Sequence, residues 1–156
     1  MTERKASVET IRIHDVSENG TLAFDLIDFL ALLAPRSMQA VWRVSTIKSV
    51  LPQLERFDAT GEGGEKLEAF ANTDETLTGR HLRALAKQTT QVIWGEFTAY
   101  LSGKDRQDSD HGPWLTIRAI DSSYFEIATG DEAALKTLRG AFKQIGPADP
   151  PFTLRS

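Results

Sequence analysis

Residues 91–127 alternate in polarity with a period of two through three successive runs, and that alternation constrains the fold more than any other feature of the chain. Side chains along a strand point to opposite faces in turn. In residues 91–101 the odd set is Ile93, Gly95, Phe97, Ala99 and Leu101, against Val92, Trp94, Glu96, Thr98 and Tyr100. In residues 114–120 it is Leu115, Ile117 and Ala119, against Trp114, Thr116, Arg118 and Ile120. In residues 124–128 it is Phe125 and Ile127, against Tyr124, Glu126 and Ala128. The three runs agree, which predicts an antiparallel meander with an apolar odd face and an even face of aromatics and charges.

Pairing the runs without burying charge fixes the register. Tyr100 opposite Trp114 sets Thr98 by Thr116, Glu96 by Arg118 and, on the other face, Phe97 by Ile117. A turn at Asp121-Ser122-Ser123 then brings Ile120 to Tyr124 and Arg118 to Glu126, so that one arginine is flanked by two carboxylates. A slip of a single residue would turn Arg118 and Glu96 into the core. The even face is the candidate binding site: Trp94, Glu96, Tyr100, Trp114, Arg118, Tyr124 and Glu126. Tryptophan, tyrosine and arginine are the residue types that dominate binding energy at interfaces. The same pattern also suits a solvated sheet surface stabilised by cross-strand pairs, and because a buried row of charges is costly, the face is expected to be at least partly wet.

Around the meander the pattern predicts further elements. Residues 10–16 form a strand with Ile11 and Ile13 on one side and Arg12 and His14 on the other. Residues 22–34, preceded by Asn19-Gly20 and stopped by Pro35, carry Phe24, Ile27, Leu30 or Ala31, and Ala34 at helical spacing. Asp25 and Asp28 interrupt that stretch, and it falls short of the about 20 apolar residues a membrane span needs. Residues 40–47 form a strand with Ala40, Trp42 and Val44 inward, Trp42 being a core residue. Residues 51–64 read as a connector, 66–71 as a short helix, and 78–88 as a helix bearing Leu82, Leu85 and Ala86, with His81 at the border of its apolar stripe. Thr129 and Glu132 have capping-box spacing ahead of a helix carrying Leu135, Leu138, Phe142 and Ile145, which Gly146-Pro147 terminates. Residues 147–156 form a proline-rich tail.

Chemical motifs fail on their details. The glycine-rich residues 58–65 precede Lys66, but Glu65 separates Gly64 from Lys66, Leu67 stands where a P-loop has its hydroxyl, and Glu62 and Glu65 repel phosphate. They read as a flexible loop. Asp105, Asp108, Asp110 and His111 share the hairpin loop, yet an EF-hand frame starting at Asp108 puts Pro113 at the required glycine and Ala119 at the closing glutamate. Only His14 and His81 are left to complete a metal site. No Gly-x-Ser-x-Gly elbow occurs, and Ser122-Ser123 suits a turn. No catalytic residue, metal or cofactor is therefore assigned.

Composition bounds the rest. A chain of 156 residues, 40% hydrophobic and 26% charged, is expected to form one α+β domain: a mainly antiparallel sheet of about five strands with helices on its odd-numbered face. With a formal charge of −4 and 18 scattered basic residues it lacks the basic stripe that nucleic acid or an anionic membrane would need. It contains no cysteine, and its N-terminus leads into no signal-like apolar segment, which points to a cytoplasmic protein. The expected function is non-catalytic binding, with another protein or a second copy as partner. Two alternatives stand beside it: a small-ligand or enzyme pocket between the first helix and the sheet, with Glu96, Arg118 and Glu126 as a carboxylate-binding or acid/base group, and a structural homo-oligomer subunit.

Overall fold

The computed structural model describes residues 8–16, 22–48, 55–101 and 112–147 and is an α+β fold. At its centre lies the meander, β7 (Gln91–Tyr100), β8 (Leu115–Ile120) and β9 (Tyr124–Thr129). Its register pairs Glu96 with Arg118, Phe97 with Ile117 and Thr98 with Thr116, then Arg118 with Glu126 and Ile120 with Tyr124, as the alternation predicts. β1 (Glu9–Ile13) joins β9, setting Ile11 by Ile127 and Ile13 by Phe125. β2 (Val41–Ser45) joins β7, setting Trp42 by Ala99 and Val44 by Phe97. One apolar layer thus runs across five antiparallel strands.

Against this layer pack the helices. α1 (Leu26–Leu32), α3 (Glu62–Ala71), α4 (Gly79–Lys87) and α5 (Glu132–Ala141) bury Phe29, Leu67, Leu82 and Leu138 in the same core as Phe97, Ile117 and Ile127. Phe24, Phe29, Phe125 and Phe142 meet there with ring centroids 5.0 to 5.5 Å apart. Trp42 is fully buried, and its indole donates to the carbonyl of Ser37 in α2 (Arg36–Gln39).

The sheet is wider than the sequence suggests. β6 (Thr76–Thr78) and β10 (Ile145–Pro147) form its edges, in the order β10-β1-β9-β8-β7-β2-β6, and β5 (Asp58–Thr60) also pairs with β7. Strands of three residues are too short to display an alternation. A small separate hairpin pairs β3 (Ile47–Lys48) with β4 (Glu55–Arg56).

Four sequence expectations are corrected. The parity rule breaks at Ile93: β5 pairs Asp58 with Trp94 but Ala59 with Val92, so Ile93 is the extra residue of a bulge, and Val92 is the buried one. The first helix begins at Leu26, because Asp25 caps it, and it buries Leu26, Phe29, Leu30 and Leu33 while Ala31 and Ala34 are exposed. Phe24 lies ahead of the cap, so helical spacing counted from it turns the stripe onto the wrong face. The presumed flexible loop at 58–65 is β5 followed by the first turn of α3. Finally, Asp131 caps α5, accepting from the amides of Ala133 (2.9 Å) and Ala134 (3.3 Å), while Thr129 bonds the carbonyl of Trp114; that helix ends at Ala141, and Ile145–Pro147 turns back as a strand beside β1. The loop carrying Asp105, Asp108, Asp110 and His111 lies outside the described residues, as does the tail beyond Pro147.

Asp25 ties α1 to the bulge. Its carboxylate accepts from the amides of Leu26 (2.7 Å) and Val92 (3.2 Å), and burial pushes its carboxyl from the ordinary 3.8 up to about 6, against the pull of those two amides. The folded chain therefore holds this proton more tightly than the unfolded chain. Its contribution is fully present below the unfolded value and declines as pH rises through the interval to about 6, by on the order of 2 kcal/mol. Asp25→Asn, which keeps an acceptor at the cap, should raise the melting temperature at pH 8 and leave it nearly unchanged at pH 4. Equal shifts at both pH values would contradict this assignment.

Candidate functional site

The face opposite the helices is built by the even-numbered positions of the meander beyond the bulge. Among the described even-numbered residues from Trp94 to Ala128, Trp114 is the one hydrophobic side chain that packs on the helix-covered core. Antiparallel pairing lines up one charged side chain from each of four adjacent strands: Arg12 on β1, Glu126 on β9, Arg118 on β8 and Glu96 on β7. Arg12 reaches the same Oε2 of Glu126 with Nη2 at 2.7 Å and Nε at 3.2 Å. Arg118 Nε lies 3.3 Å from Glu96 Oε1. The signs alternate along the row, so every neighbour is an opposite charge.

The row is drier than the sequence suggests. Glu126 has no exposed surface, and the side chains of Arg12 and Arg118 are 24% and 16% exposed. A carboxylate so buried is tolerated when it is hydrogen-bonded and flanked by cations. The Arg12 guanidinium lies over the Tyr124 ring, its central carbon 4.3 Å from the ring centroid. The His14 ring meets the same ring at a tilt of 46°, centroids 5.5 Å apart. Burial pushes the Tyr124 hydroxyl above its ordinary value, Arg12 pulling it down and Glu126 adding to the rise, so the phenol is neutral at physiological pH.

Of the seven candidate residues, six lie on this face. Trp94, Tyr100 and Tyr124 are half-buried around the ladder of Glu96, Arg118 and Glu126, and the Arg56 guanidinium sits 5.8 Å over the Trp94 ring. Ile47 of the β3–β4 hairpin and Ile120 at the end of β8 are buried yet stand outside the main core. Trp114 is the exception. It precedes β8, packs against the core, and its indole donates to Asp131 at 2.8 Å, where Arg36 also bonds at 3.0 Å. Burial alone would raise the Asp131 carboxyl, but the Trp114 donor, the amides of Ala134 and Ala133, and Arg36 together hold it below its usual value. Trp114 thus fastens the start of α5 and is not part of the outer array.

Arg12 is the residue that sequence reasoning missed. Its side of the strand is legible from the flanking Ile11 and Ile13, but its neighbour depends on β1 pairing with β9, more than 100 residues away along the chain. The available signal is chemical: Glu126 has two lateral neighbours on its face, and a buried carboxylate calls for cations on both sides. Among the described residues no group of three or more His, Asp or Glu side chains forms a metal-ligand set, and no helix is long and apolar enough to cross a membrane. The Ser122 hydroxyl accepts from the Gln91 amide at 3.2 Å, a contact that locks the hairpin turn to β7. The chain matches no protein-family model, no curated protein and no solved structure.

Proposed function

We propose that this chain is a non-catalytic binding or interaction protein that presents the outer face of its sheet to a protein partner or to a second copy of itself. The observation that carries the reading is the ordered array on the helix-free side: Trp94, Tyr100 and Tyr124 stand half-buried around guanidinium groups already fixed by carboxylates. Rigid aromatics and pre-oriented arginines lose little side-chain entropy on association. Both carboxylates of the ladder are held by arginines, an arrangement that suits orientation better than proton transfer. The cytoplasm is the compartment this reading assigns, in keeping with a cysteine-free chain.

Trp94→Ala and Tyr100→Ala should each keep the fold, since neither side chain belongs to the helix-covered core. Each should weaken association by about 2 kcal/mol, roughly 30-fold in Kd. Sedimentation velocity over a concentration series measures this for self-association, and affinity capture with the same variants measures it for another protein. Folded variants that associate as tightly as the parent chain would move the site elsewhere.

A further inference from the structure

We draw no further inference here: the strongest candidate, the exposed face of α4 where Arg80, Arg83 and Lys87 stand in no ion pair among the described residues, carries none, because nothing in the structure shows what covers it.

Discussion

Phe97→Asp is expected to leave the chain unfolded at room temperature. Phe97 has no exposed surface, sits in the middle strand pairing of the meander and faces Ile117 and Val44 across its two neighbours. A carboxylate there is either ionised in an apolar layer or forced to hold a proton, and the cavity left by the ring adds to the loss. Together these effects reach several kcal/mol, of the same order as the about 5 to 15 kcal/mol that holds a typical domain together. Circular dichroism should show no cooperative melt for the variant. A folded Phe97→Asp with near-parental melting would show that the inward and outward faces have been assigned the wrong way round.

The parity behind that prediction is readable from the chain because it is local: residues of one strand, and of strands joined by short turns, declare their faces by polarity alone. The hairpin turn fits the same logic. Asp121 and Ser122 both adopt left-handed backbone, φ 53° and 59°, and the Ser123 amide closes a tight turn on the Ile120 carbonyl at 2.8 Å, so that Asp121, Ser122 and Ser123 connect the paired Ile120 and Tyr124. Alternation fails at Ile93, where the cause is a partner strand 30 or more residues away in sequence.

Gly63→Ala should be nearly as damaging, by about 3 kcal/mol or more. A Cβ at Gly63 would stand 2.0 Å from the carbonyl oxygen of Leu85, and one at Gly64 would stand 2.7 Å from the backbone of Ala59. In both cases the obstacle is main chain, which no rotamer change can move. These glycines let α3 lie directly on α4 and β5, and the Gly63 amide donates to the Gln88 carbonyl at 2.9 Å. Gly140, with nothing within 4 Å of its would-be Cβ, is the control. Gly140→Ala should be neutral or stabilising by about 0.5 to 1 kcal/mol, as helix propensity alone dictates. Thermal melts of the two variants rank them directly; equal stability would mean that α3 does not approach α4 as closely as described.

That glycine run illustrates what the sequence hides. Gly61, Gly63 and Gly64 beside Glu62 and Glu65 have the composition of a loop, and only the position of Leu85 and Ala59 reveals close backbone contact as the purpose of Gly63 and Gly64, while Gly61 has a φ of 93° and lies against Thr90. The site is legible to the same extent and no further. Glu96, Arg118 and Glu126 fall into one row by register, but Arg12 enters the row through a pairing between opposite ends of the chain, and Trp114 leaves the group because Asp131, a residue outside its strand, captures its indole.

The central claim is that the helix-free face is where this protein meets its partner. A photo-crosslinking amino acid placed at Tyr100 or Arg43 on that face, and at the exposed Ala84 of α4 on the other side, tests it in the native cell with mass spectrometry of the adducts. Defined adducts, to one protein or to a second copy of this chain, should form from Tyr100 and Arg43 and be absent from Ala84; adducts that form only from Ala84 would place the interface on the helices and contradict the account.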